Sequence, residues 1–207
     1  MKKTKKAKKG NFGYINREKM RRLLVTLGLF AIPLAFFFTG LILNDGDRKT
    51  IYTVIAVVGC LPACRSTVNL ILLWPKHSIS QELYDEISVR AGQLVMVYEL
   101  YMTSYEKNLM FESVAVCGEE VACLALQAER KGEFFEEHIQ KILRTNGFKS
   151  HVKVFGDKKH FLERVDSLNA HYDELEDAAN EKFRPDERYP DLSRDELVKH
   201  NLMAIAL

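Results

Sequence analysis

A cation inside a long apolar stretch is the first residue in this chain of 207 that calls for a chemical reason. Arg65 stands in the apolar run 51–74, with Asn69 one helical turn beyond it. An arginine at the middle of a membrane-crossing helix costs about 2.5–3.5 kcal/mol on the insertion scale. Arg65 and Asn69 are therefore the intramembrane polar candidates: either they form a site, or Arg65 extends its long side chain to the headgroups. Cys60 and Cys64 share the run. Their spacing suits lipidation, metal or redox chemistry, or simply small residues in close helix contact, and no neighbouring His or acid completes a metal set. Cys117 and Cys123 lie farther on. A two-residue turn between them sends the two thiols to opposite faces of a sheet, and free thiols are expected. The histidines, His77, His138, His151, His160, His171 and His200, are dispersed. His138, His151 and His160 could converge with a cysteine on zinc, but their spacing is not that of a zinc motif. Phosphate-binding glycine loops, dinucleotide fingerprints, H-E-x-x-H and G-x-S-x-G turns do not occur. No catalytic, cofactor or metal residue is expected on these grounds.

The elements that must position these residues begin with two apolar runs. Residues 23–43 carry no charge and reach about 31 Å as a helix, the thickness of a hydrocarbon core. Residues 44–50, NDGDRKT, read as a turn, and 51–74 returns. The expectation is a two-helix transmembrane hairpin over 23–74, kinked at Pro33. Gly28, Ala31 and Ala35 on one helix and Ala56, Cys60, Ala63 and Cys64 on the other offer small residues for packing. The first run is too long for a signal-peptide core, and no small-x-small site follows it.

Charge sets the expected orientation. Residues 1–22 hold ten Lys and Arg against the single acid Glu18, whereas 75–207 hold 17 Lys and Arg against 25 Asp and Glu. Cations stay on the cytoplasmic side, so an integral protein of the cell membrane with both termini cytoplasmic is expected. The arm 1–22 would touch anionic lipid headgroups, and its first ten residues read as disordered. The acidic remainder argues against a nucleic-acid partner.

Residues 78–207 read as one cytoplasmic α/β (α+β) domain of order α-β-β-β-α-β-α-α with a mainly antiparallel sheet. Ser78–Gln81 fits a capping box, with Leu83 and Ile87 on the buried side of the helix behind it. Strands follow over 94–105, 109–117 and 121–128, the last two joined through Gly118-Glu119-Glu120, where glycine at the first central position suits a type II′ turn and a three-residue turn would reverse the parity of the thiols. Phe135, Ile139, Ile142 and Leu143 mark a helix that stops at Asn146-Gly147. A fourth strand covers 149–155. Asp157 caps a long helix whose apolar seam runs from Phe161 to Phe183. Ser193–Glu196 caps a closing helix, whose apolar tail 202–207 should dock on the domain or touch the bilayer.

This order is similar to that of restriction-endonuclease-like cores. That resemblance implies an acid in the second strand and a Glu-x-Lys in the third, holding a metal at a scissile phosphate. Glu112 stands at the first place. The third strand, VACLALQA, has neither Glu nor Lys, so the resemblance is one of topology. Two functions are compatible with the whole. One is a membrane-anchored binding or regulatory module engaging a protein partner or a second copy of itself. The other is a membrane-bound enzyme with its site on the sheet face, drawing on Glu112, Glu119, Glu120 and the histidines.

Overall fold

The computed structural model describes residues 9–43, 51–104, 107–128, 131–181, 183–184 and 189–206. The expected turn at 44–50, the end of the first expected strand at Tyr105, most of the lysine-rich arm, and Pro185 lie outside them. The chain divides into two compact units: Ile15–His77, and Ser78–Leu207 together with the segment that ends at Tyr14.

The first unit is a pair of helices, α1 (Tyr14–Leu43) and α2 (Ile51–Leu73), both long and apolar enough to cross a membrane. Helix α1 starts well before the uncharged run, because the basic residues ahead of Leu23 continue it. Glu18 is buried there and accepts from Arg21 and Arg22, each at 3.0 Å, one turn along the same face. Three contacts define the seam. Gly40 lies directly against Tyr52, where an added Cβ would overlap the Cβ of the tyrosine. A Cβ on Gly59 would stand 3.3 Å from Pro33, and the hydroxyls of Thr26 and Ser66 are 2.7 Å apart. These positions recur every seven residues on both helices, and Ala56, Ala63 and Leu70 bury along α2 at the same interval. A seven-residue repeat keeps two helices in contact by supercoiling. The seam therefore differs from the expected one: Gly28, Ala31, Ala35 and Cys64 all face outward. Side-chain size alone marked them, whereas the antiparallel register is fixed by proline against glycine and hydroxyl against hydroxyl.

The second unit is three layers deep. Strands β1 (Val95–Thr103), β2 (Asn108–Cys117), β3 (Glu120–Leu124) and β4 (His151–Phe155) stand in sequence order. The first two pairings are antiparallel and the third is parallel, so the sheet is mixed rather than mainly antiparallel. Helix α4 (Gly132–Thr145) crosses over between β3 and β4 and returns the chain in the same direction. Helices α4 and α7 (Arg194–Ile205) cover one face through Phe135, Ile139, Leu143, Val198 and Leu202. Helices α3 (Gln81–Arg90) and α5 (Lys158–Ala170) cover the other through Leu83, Ile87, Phe161, Val165 and Leu168. The helix expected to run on from Asp157 breaks at His171, which adds α6 (Tyr172–Asn180). The break lets α5 lie on the sheet while α6 brings Leu175 and Ala179 onto the β2–β3 turn.

Local signals explain most boundaries. Helix α4 ends with Phe148 N donating to Leu143 O and Gly147 N to Arg144 O, with Gly147 left-handed at φ 85°. Asp157 accepts from the amides of Lys159 and His160, and Ser193 with Glu196 forms the reciprocal cap of α7. The cap of α3 is Ser80, which accepts from Leu83 N, and not Ser78, whose hydroxyl is used elsewhere. Gly118 alone of the two β2–β3 turn residues takes a positive φ, 54°, with Cys117 opposite Glu120, as a type II′ turn requires.

One irregularity was not expected. Val95 and Val97 face the α4–α7 side and Met96 and Tyr98 the other, yet past Glu99 it is Leu100 and Met102 that rejoin the Val97 side. On β2 the same change of phase separates Leu109 and Phe111 from Val114 and Val116. Tyr98↔Ser113 and Leu100↔Phe111 remain paired across it. Glu99 and Glu112 are thus one added residue in each strand. Equal insertions leave the register intact while swapping the faces.

Candidate functional site: two buried acid clamps

Glu99 is 3% exposed and is the only non-glycine residue among those described with a positive φ, 56°. A left-handed residue without glycine inside a strand costs of order 1–3 kcal/mol and persists only where its surroundings hold it. What holds it is a set of hydrogen bonds from outside the sheet. Glu99 Oε1 accepts from Gly13 N at 2.9 Å and from the hydroxyl of Ser78. Gly13 is the last residue before α1, and Ser78 follows the Ile15–His77 unit directly. One buried oxygen therefore receives the chain on both sides of the helix pair. The leading segment is fastened further. Tyr98 N donates to Gly10 O at 2.8 Å, Phe12 stacks on Tyr84 at 4.4 Å, and Lys9 Nζ donates to Ala206 O. Gly10, at φ 85°, fits because a Cβ there would meet Met203 Sδ at 2.8 Å and Val97 at 3.0 Å. Ala206 bridges Met102 on the same edge, so the tail residues described dock on β1. The described end of the arm, Lys9 and Gly10, is likewise part of this unit.

The second clamp closes the β2–β3 turn. Arg194 and Asp195 are both buried at the start of α7. Arg194 donates to Gly118 O and, at 2.8 Å, to Lys149 O, while Asp195 Oδ2 accepts from Gly118 N at 3.0 Å. The two side chains also pair with each other at 3.5 Å. Gly118 admits no side chain, since a Cβ would run into Leu175 O of α6. Burial raises the Asp195 carboxyl above its ordinary range against the pull of the Gly118 amide and Arg194. Burial and the nearby Asp195, Glu176 and Glu120 push the Cys117 thiol up to about 12, and burial with the Glu176 carboxylate takes Tyr172 to about 12. A thiol so placed is not a nucleophile at neutral pH.

The residues singled out from the sequence fall elsewhere. Glu112 is half-buried, accepts from Leu126 N at 3.0 Å, and is held above its ordinary range by burial. Glu120 pairs with Arg164 at 2.8 Å, and Glu119 lends its backbone carbonyl to His151 N. Cys117 and Cys123 do lie on opposite faces, both buried. His138 stacks on Phe134, His160 bonds Asp157, His171 bonds Ser167 O and His200 lies against Tyr189. Among the described residues no three His, Cys, Asp or Glu side chains come together as metal ligands. Arg65 and Asn69 are exposed on α2, away from the seam. Glu99, Arg194 and Asp195 were missed. Glu99 interrupts an apolar strand in the sequence, which was its signal, while the last two were concealed within the capping box of α7.

Comparison with protein-family models, with curated proteins and with solved structures finds no match.

Proposed function

We propose that this chain is an integral membrane protein whose helix pair anchors a binding or regulatory module at the cytoplasmic face. The observation that carries the reading is the use made of the buried charges. Glu99, Glu112, Arg194 and Asp195 each hold backbone of their own unit, which builds a rigid body to be presented to a partner. The acids of α6, Asp173, Glu174 and Asp177, are exposed and give that body a negative face suited to a basic protein surface. The test is crosslinking of the full chain in native membranes, read by mass spectrometry, beside a variant with those three acids changed to Asn or Gln. A protein or second copy crosslinked in fixed ratio and lost in the variant supports the module. Small-molecule turnover by the purified chain, abolished by Glu112→Gln, would instead establish the enzyme.

The membrane placement extends this reading. Cysteines introduced at 44–50 should react with an impermeant reagent on intact cells, and cysteines in 78–206 should not. The Thr26–Ser66 register sets Arg22 level with Leu70, so Arg65 lies only about 7 Å deeper along α2. From there its side chain reaches the phosphates of the inner headgroups. Arg65→Lys should then leave insertion and oligomeric state unchanged, and Arg65→Leu should insert as well or better. Loss of an oligomer in Arg65→Lys alone would make Arg65 and Asn69 a site, since lysine lacks the two-pronged geometry of arginine.

A further inference from the structure

Three features of the second unit remain without a use in the reading above: the strained residue in β1, the segment 9–14 laid on that strand, and the convergence of two distant parts of the chain on one oxygen. They belong together. The outer edge of β1 is a row of backbone groups that would otherwise be open to pairing. Gly10 occupies it at Tyr98, and Ala206 occupies it at Met102. Gly10 is followed within three residues by Gly13, whose amide is on Glu99, and the next residue, Tyr14, begins α1. The return connection is on the same carboxylate through Ser78.

We propose that Glu99 is a latch: it fastens the segments on both sides of the helix pair to β1 as one cooperative element, and releasing either connection frees the other and bares the β1 edge. Two donors share one buried acceptor whose backbone is strained. The carboxylate is desolvated and oriented by both bonds at once. Removing one donor takes a bond from the buried carboxyl and leaves the φ 56° conformation less supported, so the second bond weakens although its own atoms are untouched. Gly10 loads the same latch from its other end, because its fit against Met203 and Val97 holds Gly13 in reach of Glu99. Energetic coupling of this kind is reciprocal.

The inference does not depend on the identity of any partner. The experiment is hydrogen exchange read by mass spectrometry on the full chain in lipid nanodiscs, following peptides over 9–14, 76–80, 96–100 and 113–117. Ser78→Ala leaves the atoms of Gly13 and Tyr98 and their own hydrogen bonds unchanged. It should nevertheless raise exchange in 9–14 and 96–100 by about tenfold, with 113–117 unchanged. Gly10→Ala, which places a methyl against Met203 at a left-handed residue, should raise exchange in 76–80 by a similar factor. Glu99→Ala should release both segments together, and Glu99→Gln, which keeps an acceptor without the charge, should do so less. Acceleration confined in each variant to the mutated segment refutes the latch and leaves two independent anchors. Should Glu99→Ala unfold the unit, Ser78→Ala and Gly10→Ala still decide the question, since neither removes the buried acid.

Discussion

Glu99 and Asp195 are both buried carboxylates that accept a glycine amide, and they do opposite jobs. Asp195 stands beside Arg194, and together they close on a turn within the sheet, binding both the N–H and the C=O of Gly118. Glu99 holds Gly13 and Ser78, residues of its own unit that flank the helix pair in the chain. The first clamp has a cation built in and sits where three elements meet, β2–β3, α6 and α7. The second is at an outer strand, and Gly13 N and the Ser78 hydroxyl bond it from connecting segments. The lesson is that the same chemistry closes a turn or fastens connecting segments according to what it bridges. Breaking the first should be a global event and breaking the second a local one.

The largest effect is expected from Arg194→Ala. It leaves Asp195 buried and unpaired and orphans two carbonyls, at about 3–5 kcal/mol of unfolding free energy. Chemical denaturation should show the midpoint falling with the cooperativity retained. Gly118→Ala comes next. A methyl would collide with Leu175 O at a left-handed residue, so a loss of roughly 2–3 kcal/mol and a separation of α6 from the turn are expected, visible as faster exchange in 172–180. Glu99→Ala should cost less in the same denaturation, about 1–2 kcal/mol, because the groups it orphans can reach water once their segments lift. Equal costs for Arg194→Ala and Glu99→Ala would erase the distinction drawn between the clamps.

The pH dependence sharpens it. Burial raises the Asp195 carboxyl, so the folded unit holds that proton more tightly than the unfolded chain does. The contribution of this group therefore grows as pH falls from neutral through its raised value, and is complete below the ordinary carboxylate range. Asp195→Asn removes the titration while keeping an acceptor for Gly118 N. The stability of the native chain minus that of the variant should be larger near pH 4 than at pH 7. Glu112, also raised, and Asp157, lowered, are common to both proteins and cancel. The smallest effect is expected at Ser113, opposite Tyr98 beside the change of phase. Its hydroxyl is buried without a hydrogen-bond partner among the described residues, so Ser113→Ala should be neutral or slightly stabilising in the same denaturation series.

Much of this architecture was written locally. The uncharged stretch of α1, the capping box at Ser193, the aspartate cap at 157, the glycine stop at 147 and the type II′ turn at Gly118 each depend on residues a few positions apart. Short-range sterics and capping bonds decide such features before any tertiary contact forms. The opposite facing of Cys117 and Cys123 follows from the same turn, because a two-residue loop fixes strand parity.

Tertiary structure alone decided the rest, for reasons of distance and competition. The parallel β4 depends on the path of the crossover helix, which no strand pattern encodes. The helix seam was set by Pro33 against Gly59 and Thr26 against Ser66, so the small residues that looked suited to it, Gly28, Ala31 and Ala35, turned outward. Ser78 read as a cap until Glu99 competed for its hydroxyl, and Ser80 took the cap instead. Glu99 itself breaks the alternation of β1 only because Glu112 breaks that of β2 at the same level; one insertion alone would slip the register, and two preserve it. Neighbouring residues were enough for the two long apolar helices, the caps at Asp157 and Ser193 and the hairpin turn, since each is a bargain among positions close in the chain. The clamps gather residues up to 86 positions apart, and only the folded chain brings their donors and acceptors within reach.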